Sequence, residues 1–147
     1  MRALLDINVL IALFDADHIF NDGAHRWLEA QAGEGIATCP LTENGLIRIL
    51  SHPNYSKKIR LTPSEVMRRL MGFISKQNHR LVADTISLTD PARIDPDLIL
   101  GSKQITDIYL LALAIENGVR LATFDASINF KAVKGATEAD LDIIAGG

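Results

Sequence analysis

Short apolar runs alternate along the chain with longer stretches in which apolar residues recur every three or four positions. The short runs at 2–5, 35–39, 80–83 and 119–124 predict buried β-strands, and 141–144 predicts a fifth. The longer stretches predict helices at 8–14, 21–32, 43–50, 63–74 and 107–117, with a short helix near 96–100. Strands that alternate with helices indicate an α/β fold with a mostly parallel sheet, because parallel strands need crossover connections.

Start and stop signals refine several of these helices. Thr62-Pro63-Ser64-Glu65 combines a capping box with proline at the first helical position. Thr42 and Thr106 are predicted N-caps of the third and fifth helices, and Gly118 is a typical residue to follow a helix end. The apolar face of the fourth helix is predicted to comprise Val66, Met67, Leu70, Met71 and Ile74.

Composition indicates one ordinary globular domain spanning 1–147. The chain has 147 residues, 48% of them apolar and 22% charged, and its one cysteine, Cys39, excludes a disulfide-stabilised scaffold. The apolar start is interrupted by Asp6 and Asn8, unlike a signal peptide, and the longest uncharged apolar run, 108–115, is too short to span a bilayer. We therefore expect a cytoplasmic protein without a membrane segment.

Charge is distributed unevenly. Residues 48–80, the basic segment, contain eight basic residues and one acidic residue, a net charge of +7, whereas the remainder has seven basic and seventeen acidic residues, a net charge of −10. Such asymmetry is typical either of a polyanion-binding face beside an acidic site or of ordinary solvated helices. The candidate RNA contacts in this segment are Arg48, Lys57, Lys58, Arg60, Arg68 and Arg69.

Four acidic residues are predicted to meet at one edge of the sheet. Asp6, Glu43 and Asp125 follow predicted strands, and Asp107 begins a helix that starts at the same edge. In open α/β sheets the ligand site lies beyond the carboxyl ends of the strands. Taken singly, each acid also fits a helix-capping or turn role.

Together, four carboxylates would repel one another unless a cation neutralised them, which favours a metal site. Carboxylates without His or Cys partners suit a hard cation, Mg²⁺ or Mn²⁺. The four histidines show no ligand spacing and are expected in surface or capping roles; they are His18, His25, His52 and His79.

At this point the ordered motifs resemble those of PIN domains, and more narrowly VapC-type toxins of bacterial toxin–antitoxin pairs. The motifs are Leu4-Leu5-Asp6-Ile7-Asn8-Val9-Leu10-Ile11, Thr42-Glu43-Asn44 with Arg48, Gln104-Ile105-Thr106-Asp107 with the apolar run to Ala114, and Leu121-Ala122-Thr123-Phe124-Asp125. The resemblance extends from Arg2 to about Phe130, and the segment beyond matches no motif.

The resemblance implies a three-layer α/β/α domain with a mostly parallel, five-stranded sheet. It also implies an Mg²⁺- or Mn²⁺-dependent endoribonuclease that hydrolyses RNA with metal-activated water, a homodimer, and a VapB-type antitoxin that holds the toxin inactive. By position, the resemblance assigns the acidic quartet to Asp6, Glu43, Asp107 and Asp125, and supporting polar roles to Asn8, Thr106 and Asn129. Many relatives carry a basic residue after the last acid, where this chain has Ala126 and Ser127.

Three other functions are open to the same residues. A housekeeping nuclease would share the site but need no antitoxin, and a nuclease-like scaffold would bind RNA or protein without cleaving it. A phosphoacceptor signalling domain would require a tight acidic pair after the first strand and a lysine after the fifth, which this sequence lacks. Retention of all four acids favours an active nuclease.

Overall fold

Five short strands form one fully parallel sheet in the order β3-β2-β1-β4-β5. In this computed structural model, which describes residues 1–146, the strands are β1 (Ala3–Leu5), β2 (Ile36–Thr38), β3 (His79–Leu81), β4 (Arg120–Thr123) and β5 (Leu141–Ile143). The helices are α1 (Ile7–Phe14), α2 (Asn21–Gln31), α3 (Pro40–Leu50), α4 (Pro63–Ser75) and α5 (Ile105–Glu116). The predicted parallel α/β sheet is therefore confirmed, including its fifth strand.

Helices cover both faces of this sheet. Ala3 and Leu5 of β1 point into a core shared with α1 to α4, whereas Leu4 points into a second core shared with α5. This alternation follows from the pleat of a strand, which sends successive side chains to opposite faces. The result is the expected three-layer α/β/α arrangement, with central strands that are apolar throughout because both faces are buried.

Three helices begin earlier than predicted, and for α1 the difference is one residue. Helix α3 starts at Pro40, with Cys39 as the N-cap, and Thr42 lies inside its first turn. The Thr42 hydroxyl accepts a hydrogen bond from the Cys39 N–H at 3.1 Å. Thr42 therefore stabilises the N-terminus of α3 from inside the first turn, although it is not the N-cap. Helix α5 starts at Ile105 because a 3₁₀ turn, Ser102–Gln104, runs directly into it, and Thr106 is consequently not the cap.

Other local signals have mixed outcomes. Thr62 caps α4 and accepts from the Glu65 N–H at 3.2 Å, as predicted. Gly118 has a positive φ of 66° after α5, the conformation that favours glycine at a helix end. The predicted helix near 96–100 is only a 3₁₀ turn, Pro96–Leu98. None of the helices within residues 1–146 has the length and apolar character needed to cross a membrane.

The edge strand β5 is tied to the rest of the sheet by a polar contact. Trp27 of α2 donates from Nε1 to Asp142 Oδ2 at 2.9 Å, and Arg120 of β4 lies 3.5 Å from the same oxygen. This contact links α2, β4 and β5. It also brings the C-terminal residues beside α2, where Gly23 has no side chain and a Cβ would lie only 2.6 Å from the Ala145 carbonyl oxygen.

Candidate metal centre and its surroundings

Asp6 lies where β1 passes into α1, at the carboxyl edge of the sheet. Its backbone is extended (φ −60°, ψ 153°), as is usual for the residue that precedes a helix. Only 4% of the residue is exposed. Burial raises the pKa of the Asp6 carboxyl, and the nearby Asp125 raises it further, while hydrogen bonds from Thr123 and from the backbone oppose the shift. Asp6 is thus a buried acid pointing into the site rather than a turn residue.

Thr123, the last residue of β4, connects two of the predicted acids. Its hydroxyl donates to Asp6 Oδ2 at 2.9 Å and accepts from the Asp125 N–H at 3.1 Å. The residue is fully buried. Sequence reasoning missed its role because Thr123 reads as the end of a strand. The parallel pairing of Leu5 with Ala122 is what places Thr123 beside Asp6.

Asp125 follows β4 by two residues and is held by its own turn. Its Oδ1 accepts from the Ser127 N–H at 2.8 Å and from the Ser127 hydroxyl at 2.5 Å. Oδ2 has no hydrogen-bond partner among residues 1–146. Ser127, two residues after this acid, therefore orients the carboxylate.

Asp107 completes a set of three interacting carboxylates from the first turn of α5. Burial raises its pKa to about 7, and the negative charges of Asp6 and Asp125 contribute to the shift. Among residues 1–146, none of these three acids forms an ion pair with Lys, Arg or His. Three partly or fully buried carboxylates without a basic partner form a site that favours an external cation.

Glu43, the fourth predicted acid, is held by Thr38, the last residue of β2. Its Oε2 accepts from the hydroxyl of the fully buried Thr38 at 2.6 Å, and Thr38 is in turn 2.7 Å from His79 Nε2. Because that hydroxyl has one hydrogen, the His79 N–H must be the donor in the second contact. Thus His79 on β3 acts within a hydrogen-bonded chain, a role that neither its spacing nor its neighbours in the sequence indicate.

The donor set suits a hard divalent cation. Within the described part of the chain, 1–146, no three His, Cys, Asp or Glu side chains are positioned to hold one metal ion together. Mg²⁺ does not require three, because it keeps several waters and is usually held through one or two carboxylates. The unpaired Oδ2 of Asp125 and the acids Asp6 and Asp107 provide ligands of the kind that Mg²⁺ and Mn²⁺ prefer.

The supporting polar residues lie in three different places. Asn8 is exposed on α1 and lines a cavity of about 620 Å³ together with Asp6, Thr123 and Asp125. Thr106 is exposed on α5 but lines a separate groove. Asn129 donates from Nδ2 to the Leu98 carbonyl at 2.8 Å, which fixes the loop rather than directing the amide toward the acids.

The candidate RNA contacts are all exposed, and within residues 1–146 none takes part in an ion pair. They lie on α3, on the loop that follows it and on α4. The six residues are Arg48, Lys57, Lys58, Arg60, Arg68 and Arg69. Their charge is therefore available to an external polyanion.

Comparison with known proteins gives a consistent result. The family model of the PIN domain matches residues 3–136. Ribonuclease VapC44 of Mycobacterium tuberculosis is 40% identical over 96% of this chain and 98% of its own, and ribonuclease VapC38 of the same organism is 41% identical over 86% of each. Among solved structures, the crystal structure of VapBC2 from Rickettsia felis bound to a DNA fragment from their promoter is similar in fold, with a TM-score of 0.63, 19% identity, and coverage of 99% of this chain and 100% of that one.

Proposed function

The chain belongs to the PIN domain family as a VapC-type member, and from this premise we propose that it is an Mg²⁺- or Mn²⁺-dependent endoribonuclease. We further propose that it is the toxin of a type II toxin–antitoxin pair acting on RNA in the cytoplasm. One observation carries the proposal of metal dependence. Three carboxylates meet at the carboxyl edge of the sheet without a basic partner among residues 1–146, and their repulsion helps to raise the pKa of Asp107 to about 7.

In this proposal one or two of the carboxylates of Asp6, Asp107 and Asp125 would hold the cation directly. When bound, a divalent cation supplies activation of water toward phosphorus and neutralises the negative charge that develops there. Residues of the chain itself hold the carboxylates in fixed orientations. Thr123 and Ser127 fix the Asp6 and Asp125 carboxylates through their hydroxyls.

The remaining polar groups act on the substrate. The Thr38 hydroxyl donates a hydrogen bond to Glu43 Oε2, so Oε1 is the oxygen left to accept a proton or a hydrogen bond. Asn8, exposed beside Asp6, offers an amide donor to a phosphate oxygen. The basic segment lies outside this acidic centre and would attract the RNA backbone.

This protein has a groove that could bind the proposed antitoxin. A groove of about 610 Å³ between α1, α3 and α4 is lined by the exposed apolar side chains of Leu41 and Met67 and extends to Thr106, next to Asp107. We propose that an apolar helix of a VapB-type antitoxin occupies this groove and directs an arginine toward the acids, because arginine is the cation that best complements clustered carboxylates. A homodimer is also part of the proposal, and light scattering of the purified protein tests it.

The decisive experiment is cleavage of a short single-stranded RNA by the purified protein. We expect cleavage with Mg²⁺ or Mn²⁺, none with EDTA, and products that carry a 5′-phosphate and a 3′-hydroxyl, because water attacks phosphorus directly and the ribose 3′ oxygen leaves. Mass spectrometry identifies the termini of the RNA products. A 2′,3′-cyclic phosphate would overturn this mechanism. Binding of RNA without cleavage under any of these conditions would show that the protein is a nuclease-like scaffold that only binds RNA.

Matched variants give the control. Asp107 and Asp22 both lie in the first turn of a helix, α5 and α2 respectively, but only Asp107 lies in the site. Asp107→Asn is expected to abolish cleavage, whereas Asp22→Asn is expected to leave it unchanged. Full activity of Asp107→Asn would refute the assignment of the metal centre.

A further inference from the structure

The cavity beside the acids has a second wall of different chemistry. It is lined by Asp6, Asn8, Thr123 and Asp125, by Asp17 of the turn after α1, and by four further residues of that turn and of the end of β4, namely His18, Ile19, Phe20 and Phe124. We name these four residues the ring wall. The centroids of the Phe20 and Phe124 rings are 4.8 Å apart, and those of His18 and Phe20 are 5.7 Å apart, so the three rings are contiguous.

The ring wall is held in place by the fold. The His18 Nδ1 accepts a hydrogen bond from the Phe20 N–H at 3.0 Å, which fixes the imidazole and leaves Nε2 to carry the proton of the neutral ring. Backbone of Gly146 packs on Phe20, where a Cβ would lie only 2.6 Å from ring atoms Cδ1 and Cε1. These contacts orient two of the rings before any ligand arrives.

Ile19 shows that the wall is not simply an outer layer of the core. It is 82% exposed, although it lies between His18 and Phe20 at the rim of an acidic cavity. A single exposed apolar side chain is ordinary. An exposed isoleucine that continues an aromatic surface into a cavity lined by carboxylates provides contact area for a flat, uncharged ligand.

Resting on the proposed ribonuclease function, we propose that the ring wall binds a nucleobase of single-stranded RNA, from a nucleotide beside the phosphate that is cleaved. Unstacked RNA bases bind proteins by stacking on aromatic and histidine rings, and they carry no charge that the neighbouring acids would repel. The cavity joins the ring wall to Asp6 and Asp125, so one nucleotide would place its base on the wall and its phosphate at the acids.

The test uses adenosine and ribose as probes, because neither requires a metal ion or cleavage. In nuclear magnetic resonance titrations of the whole protein, adenosine is expected to shift the signals of His18, Ile19, Phe20 and Phe124, and ribose is expected to leave them unchanged. Ile19→Ala and His18→Asn should each weaken adenosine binding, the latter about fivefold or more, as for loss of one stacking partner. Asparagine retains an acceptor for the Phe20 N–H, so the turn is preserved.

A matched control separates this effect from general loss of apolar surface. Met71→Ala removes another exposed apolar side chain, 65% exposed on α4, and should leave adenosine binding unchanged. Equal shifts with ribose, or unchanged adenosine affinity in both ring-wall variants, would overturn the proposal. If the ring wall binds adenosine but the protein cleaves no RNA, the ribonuclease function fails alone. If it cleaves RNA but the wall does not distinguish the probes, the base site fails alone.

Discussion

At the scale of single residues, the site depends on hydroxyl groups that hold carboxylates. Each hydroxyl donates a hydrogen bond to one carboxylate: Thr123 to Asp6, Ser127 to Asp125, and Thr38 to Glu43. A hydrogen bond to an ionised acceptor is stronger than a neutral one. These hydroxyls therefore orient the acids in a region where negative charge accumulates, and both Thr123 and Thr38 are fully buried.

The acid Asp107 makes stability depend on pH when metal is removed. Its pKa is about 7 in the folded protein, against an ordinary value of 3.8. Between these values the folded state binds more protons than the unfolded state, so stability should fall as pH rises from about 4 to about 7. Melting temperatures in EDTA across this range measure the effect, and Asp107→Asn should make the fall shallower. An equally steep fall in the variant would contradict this origin.

The Thr38 hydroxyl provides a second test at this scale. Thr38→Val keeps the shape of the side chain but leaves His79 and Glu43 without their shared partner. We expect the free energy of unfolding to fall by about 0.5–1.5 kcal/mol, the net contribution of a hydrogen bond, because Glu43 and His79 are only half-buried. The kcat for RNA should fall as well, because Glu43 loses its orientation. Thr38→Ser retains the hydroxyl and should retain both properties; equal activity of the valine and serine variants would exclude a role in orienting Glu43.

At the scale of elements, α4 has a wider apolar stripe than the core uses. Val66 and Leu70 are buried, as predicted, but Met67 and Met71 are 47% and 65% exposed. The helix packs against α3 and the first core through Val66 and Leu70, and it leaves the two methionines exposed. Its remaining faces carry the exposed Arg68 and Arg69.

Those arginines should contribute to RNA binding through their charge. The double variant Arg68→Gln, Arg69→Gln should weaken binding and reduce the slope of log affinity against log salt by about 1.4, since each lost phosphate contact on a single strand contributes about 0.7. Lys131→Gln, Lys134→Gln makes the same charge change outside the basic segment and should alter the slope little. If the arginine variant binds RNA with an unchanged slope, Arg68 and Arg69 are ordinary solvated residues.

At the scale of the whole molecule, the acidic centre and the apolar groove meet at the start of α5, where Thr106 lines the groove and Asp107 belongs to the centre. One partner can therefore cover the groove and neutralise the acids together. This arrangement suits an inhibitor that must act on a preformed site.

Expression of the protein alone should arrest growth of its host, and coexpression of the cognate antitoxin should restore it. Met67→Glu places a charge in the groove, so the antitoxin should no longer rescue growth, while RNA cleavage should be unchanged. Met71 lies on the same helix outside the groove, so the antitoxin should still inhibit the Met71→Glu variant. Growth assays with the two variants measure this. Harmless expression of a protein that cleaves RNA would exclude the toxin and leave a housekeeping nuclease.

Sequence by itself determined the features that depend on local interactions. The capping of α4 by Thr62, the end of α5 at Gly118 and the apolar strands all follow from contacts within about one helical turn or from burial on both faces of a sheet. The sequence predicted that Asp6, Glu43, Asp107 and Asp125 meet, because carboxyl ends of parallel strands share one edge. In the structure the charges of Asp6 and Asp125 act on Asp107, whereas Glu43 is hydrogen-bonded to Thr38.

Only the tertiary structure decided which groups touch. Thr123 reaches Asp6 through the pairing of β1 with β4, and Thr38 reaches His79 through the pairing of β2 with β3. These contacts join residues 117 and 41 positions apart. The pattern of a sequence reports how often apolar residues recur, but it does not specify strand register or side-chain direction, since both depend on pairing between distant segments.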